Sequence, residues 1–106
     1  MAPDAVPVYR NALEPAVARE VQRQLPTLPP RLVSYINPVQ VIAYALNRLP
    51  ALYATSEKGW ELQQQRIHTE LQAQIVIEVR RGIAAVERDP FRQATPFRQR
   101  NDAPTI

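Results

Sequence analysis

The spacing of apolar residues along the chain predicts three main helices. The first runs from about Asn11 to Leu25, because apolar residues recur there every four positions and Asn11 can cap its start. The second begins at Pro38 with Asn37 as its cap and stops at Pro50. Apolar residues cover most of the circumference of this second helix, so we expect it to be buried on several sides.

The third predicted helix is the longest, opening at Thr55 or Ser56 and ending near Arg88. One stripe of it is apolar: Ile67, Leu71, Ile75, Val79 and Ile83. A helix of about 30 residues is about 45 Å long, whereas a compact domain of this size has a radius of gyration of about 13 Å. The helix must therefore break, with Gly82 as the weak point, or project and pair with another chain. Apolar residues off the stripe favour pairing.

The segment from Ala51 to Ser56 has the composition of either a short strand or a loop. We therefore expect an all-α fold of three main helices, with a short extended segment before the long C-terminal helix, in a dimer. Residues 8–89 form the helical domain, residues 1–7 an N-terminal tail, and residues 90–106 a basic C-terminal tail. The C-terminal tail contains Pro-Phe-Arg-Gln twice, which indicates either a disordered tail or a short linear motif anchored by Phe91 and Phe97.

Composition argues against several classes of function. The chain has no cysteine and one histidine, His68, so we expect no metal site and no thiolate nucleophile. No serine nucleophile pattern and no glycine-rich phosphate loop is present, so we expect no catalytic residues and no cofactor. There is no run of about 18 apolar residues and no signal-peptide pattern at the N-terminus, so we expect neither a membrane span nor secretion, and a cytoplasmic location.

The net charge of +3 is modest. Between Val8 and Asp89, ten basic residues face eight acidic ones, which is +2 over the whole predicted domain. A nearly neutral domain is a weak electrostatic match for duplex DNA, so we do not expect nucleic acid as a partner.

The segment from Asn47 to Trp60 concentrates polar and aromatic side chains at the start of the longest helix. Free backbone N–H groups at a helix N-terminus favour an anion. Ser56 and Thr55 can donate hydrogen bonds to phosphate, and Lys58 adds a positive charge. An ordinary capped turn, with its aromatic residues packed into the core, explains the same residues equally well.

Residues 45–59 read Ala-Leu-Asn-Arg-Leu-Pro-Ala-Leu-Tyr-Ala-Thr-Ser-Glu-Lys-Gly. This run resembles the signature of the late-competence ComFB family, which carries an Ala-Leu-Asn-x-Leu-Pro-x-x-Tyr-x-x-(Ser/Thr)-x-x-Gly pattern between two helices. The resemblance implies a small, mainly helical, dimeric, non-catalytic bacterial protein. Some members of the family are receptors for cyclic di-GMP or cyclic di-AMP. Cysteines that hold zinc in some relatives are absent here, where residues 27–30 read Thr-Leu-Pro-Pro, so zinc is not expected.

The resemblance also suggests which residues contact a ligand. The first choices are Arg48, Tyr53, Ser56 and Lys58. The others are Asn47, Thr55 and Glu57 in the signature, and Arg31 and Tyr35 in the loop before the second helix. We therefore expect a receptor for cyclic di-GMP, or otherwise cyclic di-AMP, that relays the signal to a protein partner as yet unidentified. The alternative is a helical dimeric adaptor with no small ligand.

Overall fold

A computed structural model of the chain describes residues 8–88. The residues that it describes form five α-helices and a two-stranded sheet. In chain order the elements are β1 (Arg10–Asn11), α1 (Leu13–Gln24), a 3-10 turn (Leu25–Thr27), α2 (Pro30–Val33), α3 (Pro38–Leu46), β2 (Tyr53–Ala54), α4 (Glu57–Arg66), a π-helical turn (Ile67–Leu71) and α5 (Gln72–Glu87). The mostly helical architecture agrees with the predicted class. The predicted tails, residues 1–7 and 90–106, lie outside the described residues.

The core is formed where α1, α3 and α5 pack against one another. Its fully buried side chains come from all three helices: Leu13, Val17, Val21, Val41, Ile75 and Val79. The predicted stripe of the long helix is buried as expected, from Ile67 to Ile83. None of the helices in the described part of the chain is long and apolar enough to cross a membrane.

The start of α1 differs slightly from the prediction. The helix begins at Leu13, and Ala12, not Asn11, occupies the cap position. Asn11 nevertheless performs a capping function from one residue further out, because its Oδ1 accepts a hydrogen bond from the backbone N–H of Leu13 at 3.1 Å. Asn11 itself belongs to β1, which pairs antiparallel with β2. The segment predicted as strand or loop therefore contains a two-residue strand.

Helix α3 starts as predicted, since the side chain of Asn37 accepts a hydrogen bond from the N–H of Val39 at 3.0 Å. The expectation that α3 is buried on several sides is wrong. Only Val41 and Ala45 are buried in it, and Val39 is 69% exposed. The two buried residues lie one turn apart on the same face of α3, and the helix contacts α1 and α5, so the opposite face, with Val39, is left exposed.

The long helix starts at the predicted cap, where Ser56 Oγ accepts a hydrogen bond from the N–H of Gly59 at 3.0 Å. It does not break at Gly82. Its one irregularity is the π-helical turn between α4 and α5. Gly82 lies in close packing with α3: a Cβ atom at this position would lie 3.1 Å from the Tyr44 ring and 3.2 Å from the carbonyl oxygen of Val41. Its lack of a side chain therefore allows α5 to approach α3.

Candidate functional site

The segment from Asn47 to Trp60 connects the end of α3 to the first turn of α4. Two buried side chains, Leu49 and Leu52, fasten it to the core. A backbone hydrogen bond from Ala12 N–H to the Leu52 carbonyl, at 2.8 Å, ties it to the start of α1. These anchors fix β2 and the cap of α4 beside β1, so residues from the N-terminal end and from the middle of the domain meet there.

One cleft at this junction has a volume of about 600 Å³. Three residues of the predicted site line it, namely Thr55, Ser56 and Glu57. The remaining lining residues are Val8, Arg10, Ala54, Trp60 and Glu61. The volume lies within the range of small-molecule sites, about 300–1,000 Å³.

A second cleft, of about 550 Å³, adjoins the first. Tyr53 lines it, and Arg10 and Trp60 line both clefts. The other lining residues are Tyr9, Asn11, Glu14 and Pro15. Arg10 and Trp60 thus stand between two spaces, each large enough for part of a ligand.

Two tyrosines form an exposed aromatic surface on the second cleft. The rings of Tyr9 and Tyr53 meet edge to face, with centroids 5.9 Å apart and planes inclined at 67°. Tyr9 is 71% exposed and Tyr53 54% exposed. The pairing of β1 with β2 brings the two rings together. An exposed aromatic face of this kind can stack on a planar base.

The N-terminus of α4 opens into the first cleft. Because Gly59 N–H binds the side chain of Ser56 and Trp60 N–H binds its carbonyl, the N–H groups of Glu57 and Lys58 are the two that the helix itself does not use. The positive end of the helix dipole lies in the same place. The first turn of α4 can therefore receive an oxygen anion.

Charges of both signs surround the two clefts. Arg10 supplies a guanidinium group that has no ion pair within residues 8–88. Glu57 and Glu61 line the first cleft, and Glu14 lines the second. A ligand that fits here must accept hydrogen bonds from Arg10 and donate hydrogen bonds to carboxylates.

The structure does not bring all of the predicted site residues to these clefts. Arg48 lies on α3 instead: its guanidinium carbon is 3.5 Å from the centre of the Tyr44 ring, and its Nη1 donates to the Tyr44 carbonyl at 3.1 Å. This arrangement holds the C-terminal end of α3. Asn47 is the residue directly after that helix. Lys58 is exposed on the first turn of α4 and does not line either cleft.

Arg31 and Tyr35 lie apart from the two clefts as well. Arg31 is in α2, where its carbonyl accepts a hydrogen bond from the hydroxyl of Ser34. Tyr35 follows that helix and is 62% exposed. Neither residue lines the first or the second cleft.

The cleft residues that were not predicted as ligand contacts include Tyr9, Arg10, Trp60 and Glu61. Two of them precede α1 and reach the site only through the β1–β2 pairing, which joins Arg10 to Ala54 and Asn11 to Tyr53. A two-residue strand has no periodicity that a sequence can reveal. Trp60 and Glu61 do carry a signal, because they lie one turn after the Ser56 cap.

These features define a small helical domain with open polar and aromatic clefts where its N-terminal strand pairs with the segment before α4. Residues 10–90 match the family model described as Late competence development protein ComFB. The chain therefore belongs to the ComFB family, as its signature at residues 45–59 indicated. A search of curated proteins found no match.

Proposed function

We propose that this chain is a non-enzymatic cytoplasmic receptor that binds a cyclic dinucleotide, cyclic di-GMP before cyclic di-AMP, and relays the signal to a protein partner. The observation that carries the proposal is the meeting of four predicted site residues with Arg10 and Trp60 at two adjoining clefts. The four residues are Tyr53, Thr55, Ser56 and Glu57.

The chemistry of the clefts matches the parts of such a ligand. Each base offers a flat face, which suits the exposed rings of Tyr9 and Tyr53. Each phosphate offers oxygen acceptors, which suit the guanidinium group of Arg10 and the free N–H groups at the start of α4. Two clefts that share Arg10 and Trp60 suit a ligand with two bases joined by phosphates.

The acidic residues favour guanine over adenine. The Watson–Crick edge of guanine presents two neighbouring donors, N1–H and N2–H, whereas that of adenine presents one donor and one acceptor. A carboxylate such as Glu57 or Glu61 is an acceptor only. It can therefore take two hydrogen bonds from guanine and one from adenine, which supports cyclic di-GMP as the first choice.

A homodimer is part of the proposal. Leu62 is 56% exposed and Ile77 43% exposed on the long helix. Large apolar side chains exposed on a helix are typical of a surface that a second copy covers. Sedimentation at micromolar concentration tests this point: a mass of one chain contradicts the dimer.

Calorimetry with the purified full chain tests the ligand. We expect heat of binding with micromolar cyclic di-GMP and weaker binding of cyclic di-AMP. We also expect a rise in the melting temperature, since a ligand at 100 times its dissociation constant stabilises a fold by about 2.7 kcal/mol. The absence of heat with both nucleotides rejects the receptor proposal.

The exposed apolar side chains also favour a second candidate, a dimeric adaptor without a small ligand. Val39, Leu62 and Ile77 are exposed and line neither cleft of the candidate site. The adaptor predicts a protein partner that is captured equally well with and without cyclic di-GMP. The receptor predicts that the nucleotide changes capture.

A further inference from the structure

A third cleft lies between the C-terminal end of α1 and helix α5. Its volume is about 360 Å³, and its lining residues are Arg23, Gln24, Thr27, Leu28, Arg80 and Ile83. None of these residues lines the two clefts of the candidate site. We propose that this cleft binds a short segment of a partner protein in which an apolar side chain stands beside a carboxylate.

The side chain of Arg23, on one side of the cleft, is held in place before any ligand binds. Arg23 donates from Nε to both carboxylate oxygens of Glu20, at 3.0 and 3.1 Å, and from Nη2 to Oε2 at 2.6 Å. The Glu20 side chain is only 4% exposed. Arg23 therefore keeps Nη1 for a partner, and little side-chain entropy is lost when the partner binds.

The two sides of the cleft are also fixed relative to each other. Gln24 Nε2 donates to Glu20 at 2.7 Å and to the carbonyl of Val76 in α5 at 3.1 Å. The hydroxyl of Thr27 donates to the Gln24 carbonyl at 2.6 Å and closes the end of α1. A partner thus meets a cleft that is already formed.

The charge of the cleft specifies a single carboxylate. Arg80 is exposed and has no ion pair or hydrogen bond within residues 8–88. Arg23 and Arg80 contribute two positive charges, and the buried Glu20 beside them removes one. The C-terminal end of α1 presents carbonyl groups, which disfavour a multiply charged phosphate more strongly than a single carboxylate. A partner with one carboxylate neutralises the one positive charge that remains.

The apolar residues that line the cleft indicate that the partner also carries an apolar side chain. Ile83 is buried and Leu28 is half-buried against the core. The volume has room for one large apolar side chain next to the carboxylate. The C-terminal tail of this chain does not match, because its phenylalanines are each followed by an arginine and residues 90–106 carry three basic residues against one acidic residue.

Peptide titrations of the ¹⁵N-labelled full chain, followed by NMR, test the inference. The probe is acetyl-Leu-Glu-amide at low millimolar concentration. One control peptide carries lysine in place of the glutamate, and another carries glycine in place of leucine. We expect the amide signals of Thr27, Leu28 and Ile83 to shift with the probe, and much less with either control.

A matched pair of variants shows whether the cleft is responsible. Arg80→Gln should weaken binding of the probe by at least about fivefold, because it removes the unpaired guanidinium group. Arg81→Gln removes the same charge from the next residue, which pairs with Glu78 at 3.0 Å, and should leave binding within about twofold. Equal losses in the two variants overturn the inference, and so does the absence of shifts with the probe.

Two further outcomes also overturn it. If inorganic phosphate alone produces the same Arg80-dependent shifts, the cleft is a small anion site. If Arg80→Gln instead reduces the mass of the chain in solution, the occupant is a second copy. Binding of cyclic di-GMP to Arg80→Gln, measured by calorimetry, should be unchanged, so the docking inference and the receptor proposal can fail separately.

Discussion

The side chain of Asn11 accepts a hydrogen bond from the backbone N–H of Leu52, at 3.1 Å, across 41 residues of sequence. The same oxygen accepts a bond from Leu13 N–H at the start of α1. One amide oxygen therefore holds together the beginning of the first helix and the segment that leads to Tyr53. Both residues that donate to it are buried.

Replacement of Asn11 should damage both the fold and the site. Asn11→Ala leaves two buried N–H groups without their acceptor, so we expect the free energy of unfolding to fall by about 2–4 kcal/mol. Urea denaturation measures this loss. Asn37→Ala is the matched control, because Asn37 accepts a single exposed bond at 3.0 Å, and should cost about 1 kcal/mol. Equal losses contradict the joint role of Asn11.

Removal of the charge of Arg10 should weaken nucleotide binding. Arg10→Gln takes away the guanidinium group shared by the two clefts, and we expect the affinity for cyclic di-GMP to fall about tenfold or more in calorimetry. Arg19→Gln is the control of equal charge, because Arg19 is exposed on α1 and lines neither cleft. Arg31→Gln tests separately whether Arg31 contacts the ligand. Binding by Arg10→Gln that matches the wild type removes Arg10 from the site.

Arg48 and Lys58 are first-choice ligand contacts that lie outside the clefts, so their roles are tested separately. If Arg48 and Lys58 contact the ligand, Arg48→Ala and Lys58→Ala weaken binding without unfolding the protein. Circular dichroism is essential for Arg48→Ala, because that side chain also holds Tyr44 and the end of α3. Unchanged affinity in a folded variant excludes the residue from the site.

The discrimination between nucleotides should depend on Glu57 or Glu61. A glutamine at either position replaces one acceptor oxygen with a donor group, so a doubly hydrogen-bonded guanine edge is lost. We expect Glu57→Gln or Glu61→Gln to reduce the preference for cyclic di-GMP over cyclic di-AMP by about tenfold. Glu70→Gln, on the exposed side of the long helix, should leave the ratio of the two affinities unchanged.

The two glycines should respond differently to alanine. Gly82→Ala would place a Cβ atom 3.2 Å from the Val41 carbonyl oxygen, which the backbone of α3 holds still. Overpacking costs about 1–3 kcal/mol against a gain of about 1 kcal/mol in helix propensity, so we expect lower stability. Gly59→Ala meets only side-chain atoms of Ser56 and Ala54 and should keep or raise the melting temperature. A more stable Gly82→Ala would contradict close packing at this position.

Acid should destabilise the protein through Glu20. Hydrogen bonds from Arg23, and then from Gln24, hold the pKa of the Glu20 carboxyl below its ordinary value of 4.5. A lowered pKa in the folded state gives stability that is present above about pH 4.5 and is lost as the pH falls through the folded-state pKa. Urea midpoints from pH 6 to pH 3 should therefore fall less steeply in Glu20→Gln than in the wild type. Glu14→Gln, an exposed position on the same helix, should keep the wild-type slope.

Helix positions were predictable because their signals are local. Asn37 followed by Pro38 marks one start and Ser56 marks another, and the structure confirms both caps. The burial of α3 was not predictable in the same way. Its apolar residues lie all around the helix, and only the packing of α1 and α5 on one side decides that Val41 is buried and Val39 exposed.

The candidate site shows the same contrast between local and distant signals. Tyr53, Thr55, Ser56 and Glu57 belong to one continuous motif and were predicted from it. Arg10 and Tyr9 reach the clefts because two short strands, more than 40 residues apart in sequence, pair with each other. Neither composition nor periodicity indicates this pairing. Arg48 lies in the same motif, yet the cation–π contact with Tyr44 turns its side chain toward α3.

The π-helical turn at Ile67–Leu71 sets the rotation of α4 relative to α5. Such a turn amounts to one extra residue in an α-helix, and one residue corresponds to a rotation of about 100°. Helix α4 has no fully buried residue, and its Trp60 is only partly buried against the core. Deletion of Thr69 would keep the buried stripe of α5 in place and swing Ser56 and Trp60 about a quarter of a turn around the axis. A single inserted residue, two to three helical turns away, therefore sets how Ser56 and Trp60 are oriented at the two clefts.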